Sequence, residues 1–222
     1  MFFWKAQAQN LRDRIIAWLQ ANLKGVVTAS SAVLAYFLLY VSKADMYICL
    51  YLKPYKKGLF RYFFSFISFL GRGEVLLFLL LVLLVTCLEM PKRRELFWRG
   101  ILSLAAAGAV ALVIKVLVGR PRPHLLASGH YWPHGPTLSS AFFSTPSGHT
   151  TATFALVCLL CYYFPKQRFA FLAGALLVGL SRVVLLYHYP SDIIISAIIG
   201  CAIGKWAHKV RLPRFMEERI EE

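Results

Sequence analysis

The chain has 222 residues, 59% of them apolar, with a mean hydropathy of +0.60 and a formal charge of +15 at pH 7. An apolar share well above the roughly 45–50% of soluble domains excludes an ordinary water-soluble globule and points to an integral membrane protein. The positive charge suits anionic lipid headgroups, and no stretch has the pattern of a nucleic-acid-binding module.

In chain order, residues 1–25 place Leu11, Ile15, Trp18 and Leu19 on one face and Lys5, Arg12, Arg14 and Lys24 among the charged positions. This predicts an amphipathic cytoplasmic helix, with a soluble tail as the alternative. No apolar core precedes a small-residue cleavage site, so no cleavable signal is expected. The apolar run Val26–Val41 leads into an extracytoplasmic interfacial segment at residues 43–73. There, KPYKKGLFRYFFSFISFLGRG mixes cations with aromatics like a helix in the headgroup layer. A plain membrane-anchoring elbow is the simpler reading, and a surface that gathers anionic lipid is the functional one.

Further apolar runs follow at Val75–Met90, Ile101–Val118, Thr150–Phe164, Phe169–Leu186 and Ile193–His208. The fourth and fifth runs are joined only by Phe164–Arg168, which allows nothing but an antiparallel hairpin. The run Ala105–Gly108 is expected to be a close helix-packing face. The fold class is therefore all-α: a single-domain polytopic bundle of six transmembrane helices. Fifteen of the 25 Lys and Arg residues fall on the side of the amino terminus. The positive-inside rule then makes both termini cytoplasmic. The tail from Arg214 to Glu222 is charged and amphipathic, with no assigned role.

Chemistry gathers in three stretches spread over residues 115–192. Lys115 interrupts ALVIKVLVG, and a cation inside a spanning helix costs about 2.5–3.5 kcal/mol unless it lies near the end or meets an anion. Arg122 lies seven residues on, before Pro121 and Pro123 force the chain out of helix, so the two cations can flank one phosphate. The PSGH sequence puts Ser147, Gly148 and His149 at the start of the fourth span. Backbone N–H groups and the helix dipole favour an anion at such a helix start. In SRVVLLYHYPSD, Arg182 ends the fifth span, His188 follows, and Asp192 lies four residues beyond in the first turn of the sixth. An aspartate holding Nδ1–H would leave Nε2 of His188 free for attack.

All three stretches match, position for position, the K-x6-R-P, P-S-G-H and S-R-x5-H-x3-D signature of the type 2 phosphatidate phosphatase family. The chain resembles its membrane branch, and eleven specified residues in one order carry the resemblance. The resemblance implies that His188 is a nucleophile forming a phosphohistidine, with Asp192 as its orienting partner. It implies that His149 is the general acid, and that Lys115, Arg122, Ser147, Gly148 and Arg182 hold the phosphate oxygens. No metal or cofactor is required by that scheme. The expected partners are the bilayer and an anionic phosphorylated lipid: phosphatidylglycerophosphate, phosphatidate, undecaprenyl pyrophosphate or a lipid A phosphate. The expected setting is a bacterial inner membrane with the site facing outward. One histidine must be neutral while the other is protonated, so a bell-shaped pH profile is expected.

Two other classes use the same residues. A lipid phosphotransferase would pass the phosphoryl group to an acceptor other than water. An anion transporter would explain the intramembrane cations but not the two histidines and the aspartate. A haloperoxidase is disfavoured by the apolar spans, although vanadate is expected to inhibit by occupying the phosphate site. His124, His130 and His134 have no familiar zinc spacing and are read as loop histidines near a phosphate or headgroup. Arg120 is read as assisting substrate or meeting lipid phosphate. Cys158 and Cys161 are read as small buried side chains, and with Cys49, Cys87 and Cys201 they form no disulfide framework.

Overall fold

A computed structural model describes residues 33–85 and 91–212, with isolated positions at residues 9, 12, 25, 27, 28, 30 and 31. The amphipathic segment expected at residues 1–25 lies almost entirely outside the described residues, and the tail from Arg214 lies wholly outside them. The elements are α1 (Val33–Val41), α2 (Ala44–Leu52), α3 (Gly58–Leu70), α4 (Gly73–Val85), α5 (Pro91–Val118), α6 (Gly148–Tyr163), α7 (Arg168–Val184) and α8 (Pro190–Lys209). Among the described residues the regular structure is entirely helical.

The core is built around α6, whose residues from Thr150 to Val157 are all buried. Helix α8 lies closest to it because Gly200 and Gly204 remove the side chains that would hold the backbones apart. A Cβ at Gly200 would stand 2.6 Å from the Thr151 carbonyl oxygen, and one at Gly204 only 2.3 Å from that of Ala155. This is the small-residue seam by which membrane helices pack. On α5 the corresponding stripe is Ser103, Ala107 and Ala111, all buried at a spacing of four. Of the expected Ala105–Gly108 face, Ala106 and Ala107 pack into the core, whereas a Cβ on Gly108 would meet nothing, since successive residues on a helix point in different directions. Ala107 joins Leu76, Leu80, Phe97, Ala152, Ala155, Leu156 and Ile203 in the main apolar cluster.

The outer faces of α4, α5 and α7 expose Phe78, Leu79, Leu112, Val113, Leu117, Leu176 and Leu180, an apolar surface suited to lipid. Among the described residues three stretches, Lys92–Ser128, Pro165–Val184 and Pro190–Lys209, are long and apolar enough to cross a membrane. The pairs Val33–Val41 with Ala44–Tyr55 and Gly58–Leu70 with Gly73–Val85 bend by 74° and 57°, giving up to five spans if each counts as one. Within the described residues that measure does not reach the expected six. Helix α6, the fourth expected span, has 16 residues. It rises about 24 Å, short of a hydrocarbon core about 30 Å thick. The chain is an all-helical integral membrane protein.

The interfacial segment expected at residues 43–73 becomes α2, a 3-10 turn at Lys53–Tyr55 and α3. Helix α3 exposes Leu59, Tyr62, Phe63 and Phe66, while Phe64 packs against Val184 and Leu185 at the end of α7. Its carboxyl end is pressed onto α7: a Cβ on Gly71 would lie 2.3 Å from Val178 Cγ1. At the far end of the bundle, Arg99 donates to the carbonyls of Ala207 (2.7 Å) and Val210 (2.9 Å), satisfying the last turn of α8. The starts of α6 and α8 and the end of α5 therefore meet at the opposite end, where the three signature stretches converge.

Candidate active site

Lys115 lies in the last turn of α5. The helix stops at Gly119, whose φ of +57° and position 1.9 Å (from its would-be Cβ) from the Gly135 carbonyl oxygen admit no side chain. The following GRPR strip is laced to the long loop. His134 N donates to Gly119 O (2.9 Å), Ser144 N to Arg120 O (3.0 Å) and Arg122 N to Ala141 O (3.0 Å). The two prolines supply no N–H and hold the strip out of helix, and Arg120 reaches the carboxylates of Asp45 and Asp192 while Arg122 does not.

Ser147 caps α6. Its hydroxyl oxygen accepts from Thr150 Oγ1 at 3.0 Å and from Thr150 N at 3.4 Å, and its N–H donates to Ser196 Oγ at 2.7 Å. Gly148 follows, and a Cβ there would stand 3.5 Å from Lys115 Nζ. The ammonium group is thus brought to the helix start, as the sequence implied. Arg182, in the last turn of α7, donates to Ser68 Oγ of α3 at 2.6 Å and stacks its guanidinium 4.4 Å from the Tyr187 ring centroid. The Nε atoms of Arg122 and Arg182 are buried without a protein acceptor. None of Lys115, Arg122 and Arg182 has a carboxylate partner among the described residues.

His188 is buried between α7 and α8, with its backbone N donating to Arg182 O at 3.3 Å. Its Nδ1 lies 2.6 Å from the Ser144 carbonyl oxygen and 3.9 Å from Asp192 Oδ2. A carbonyl only accepts, so Nδ1 carries the hydrogen and Nε2 keeps its lone pair in the neutral ring. This corrects the expectation that Asp192 itself holds the imidazole. Asp192 acts one bond further back: Oδ2 accepts from Ser144 Oγ (2.6 Å) and Tyr189 N (2.9 Å), and Oδ1 from Thr145 Oγ1. The carboxylate fixes the residue whose carbonyl fixes the histidine. Burial, then the charges of Arg182, Lys115 and Arg122, push the His188 pKa well below the ordinary imidazole value, with the Ser144 hydrogen bond opposing them.

Behind this lies a second polar cluster for which the sequence carried little signal. Arg120 is fully buried and donates from Nη1 to Asp192 Oδ1 (2.6 Å) and from Nη2 to Asp45 Oδ2 (2.9 Å). Asp45 Oδ1 also accepts from Ser191 N at 3.0 Å, and Oδ2 accepts from the Ser191 hydroxyl. The rings of Tyr189 and Tyr40 stand 4.2 and 4.6 Å from the Arg120 guanidinium carbon. The expectation that Arg120 assists substrate or meets lipid phosphate is thereby corrected: its guanidinium bridges two buried carboxylates.

A cavity of about 380 Å³ opens beside the site, lined by Ser65, Ser68, Phe69, Arg72, His149, Arg182, Leu185 and Tyr187. Among the described residues no three His, Cys, Asp or Glu side chains come together as a metal site. Of the loop histidines, His130 and His134 pack against Phe142, with ring centroids 6.2 and 5.3 Å away. The arrangement offers unneutralised cations, a helix start and two imidazoles at one end of the bundle, the equipment for handling a phosphoryl group.

Comparison with known proteins agrees with this reading. The chain is 36% identical over 105 residues to the lipid A 1-phosphatase of Rhizobium johnstonii, covering 47% of this chain and 41% of that protein. It is 28% identical over 113 residues to undecaprenyl-diphosphatase BcrC of Bacillus subtilis, covering 50% and 55%. The chain thus spans about half the length of these curated relatives. The fold is shared with the transmembrane PAP2-type phosphatidylglycerolphosphate phosphatase of Bacillus subtilis (TM-score 0.66, 19% identity, 88% of this chain and 96% of that one). It is also shared with Aquifex aeolicus LpxE (TM-score 0.58, 23% identity, 73% and 93%). The PAP2 superfamily profile matches residues 96–216, which hold every signature residue. With more than half of its length matched, and the three signature stretches converging at one end of its bundle, the chain belongs to the PAP2 superfamily.

Proposed function

We propose that the protein is a membrane lipid phosphatase that removes a phosphoryl group from a lipid phosphomonoester or diphosphate through a phosphohistidine. The observation that carries this reading is the convergence of Lys115, Arg122 and Arg182, free of carboxylates, beside a buried neutral His188 whose Nδ1–H is held by a carbonyl. Nε2 attacks phosphorus, and the three cations with the N–H groups at Ser147–His149 take up the equatorial charge. His149 gives its proton to the leaving oxygen and then takes one from the water that cleaves the N–P bond. Asp192 and Ser144 hold the nucleophile. The site faces the extracytoplasmic side of a bacterial inner membrane with both termini cytoplasmic, the orientation favoured by the Lys and Arg distribution. Candidate lipids are phosphatidylglycerophosphate, phosphatidate, undecaprenyl pyrophosphate and lipid A phosphates.

The test is inorganic phosphate release from these four lipids by purified full-length protein in excess chelator, with His188→Ala alongside. Release that persists in chelator and disappears in the variant supports the metal-independent histidine mechanism. Phosphate appearing on an added acceptor lipid instead of in solution would mark a phosphotransferase. Release that survives His188→Ala would overturn the nucleophile.

A further inference from the structure

Half of the residues lining the cavity, Ser65, Ser68, Phe69 and Arg72, come from α3 and its junction with α4, outside the signature stretches. Their placement is built. Phe64 is wedged against Val184 and Leu185, Gly71 is pressed on Val178, and Ser68 Oγ accepts from Arg182 at 2.6 Å. Arg72 follows this anchored turn directly, its N–H donating to Phe69 O at 3.0 Å. Its guanidinium is thus a fourth cation, added to the three that the transferred phosphoryl group already has. His149 lines the same cavity and, in the proposed mechanism, hands its proton to the leaving oxygen. Arg182 lines it as well, so the cavity reaches from the phosphoryl group under attack to the leaving oxygen, and a cation added there can meet charge on the leaving group.

We propose that Arg72, with Ser65 beside it, forms a subsite for a second phosphate carried by the leaving group, which makes lipid diphosphates the favoured substrate class. The inference rests on the phosphatase reading above. In the reaction, the Nε2 lone pair of His188 forms a bond to the distal phosphorus, and the bond from that phosphorus to the bridging oxygen breaks. The electron pair stays on the bridging oxygen, which takes the His149 proton and departs as the lipid monophosphate. Water then adds to the phosphorus, its proton goes to His149, and the N–P electron pair returns to Nε2 as inorganic phosphate leaves. Arg72 meets the charge of the departing monophosphate, a charge that the leaving alcohol of a lipid monophosphate does not carry. A planar guanidinium fits such a group in two-pronged fashion.

The test compares kcat/KM of the full-length protein for diacylglycerol pyrophosphate and for phosphatidate with the same acyl chains, in one detergent, for wild type, Arg72→Ala and Arg72→Lys. The expected result is that Arg72→Ala lowers the diphosphate-to-monophosphate ratio by about tenfold or more, as loss of a charged hydrogen-bonding partner does. Arg72→Lys should recover part of the ratio, and the activity that Arg72→Ala keeps on phosphatidate reports that it is folded. An unchanged ratio, whether from equal losses on both lipids or from no loss at all, overturns the subsite and leaves the phosphatase reading standing. A wild-type protein that releases phosphate from neither lipid overturns the phosphatase reading and the subsite with it.

Discussion

The GRPR strip carries two arginines two residues apart that live in opposite electrostatic worlds. Arg120 is fully buried between the carboxylates of Asp45 and Asp192 and stacked on tyrosines, with its charge met inside the protein. Arg122 lies with Lys115 and Arg182 among the cations around His188, where no carboxylate of the described residues pairs with it. A neutralised cluster of this kind holds parts together, whereas an unneutralised one is costly unless an anion comes to it. The first is a bracket that joins α2, the strip after α5 and the start of α8; in the proposed mechanism the second receives the phosphate. The contrast explains how one short strip can serve both architecture and chemistry.

The comparison can be broken by substitution, and the largest effect is expected at the nucleophile. His188→Ala should lower phosphate release by roughly a thousandfold or more, as loss of a group that forms the covalent intermediate does. Activity of the same order in a folded variant would remove the covalent route. Next, Asp45→Ala should act on stability: it strips one carboxylate from a buried guanidinium, at a cost of about 3–5 kcal/mol. A lowered midpoint in thermal unfolding in detergent is the readout, and an unchanged midpoint would mean that the bracket does not hold the fold. Arg182→Ala should do the reverse, costing about 2.7–4 kcal/mol of transition-state stabilisation with little loss of melting temperature. Equal damage to stability and rate in both variants would erase the distinction between bracket and receptor.

A smaller effect sharpens the electrostatics. His188 is held neutral by burial and by the facing cations, so its protonation falls below the ordinary imidazole value of 6.5. Its sign follows: the reactive neutral form persists as pH drops through 6.5, and loss of kcat/KM by protonation of this residue begins only at lower pH. The acid midpoint of the kcat/KM profile is therefore expected below 6.5, and a midpoint at or above it would show that the receptor cations do not act on His188.

The membrane setting, the helical class and the signature residues are legible in the amino-acid order alone. Those properties are written in local patterns: long apolar runs, prolines and glycine at the motif ends, and side-chain types at set spacings. Lys115 at the end of a span, Ser147 as a helix cap and His188 between two helices are all where these patterns place them. Which buried polar groups pair across the chain emerges only from the folded packing. The holder of His188 is the carbonyl of Ser144, a backbone group that any residue possesses and no composition advertises. Asp45 reaches Arg120 from 75 residues away, out of a helix that reads from its sequence as an interfacial elbow. The packing stripe on α5 likewise depends on which faces meet, not on the apolar content of the run. Hydrophobicity determines that a segment is buried in lipid or protein, but the pairing of buried polar groups is a property of three-dimensional geometry, because each donor must find its acceptor wherever the packed helices happen to bring one.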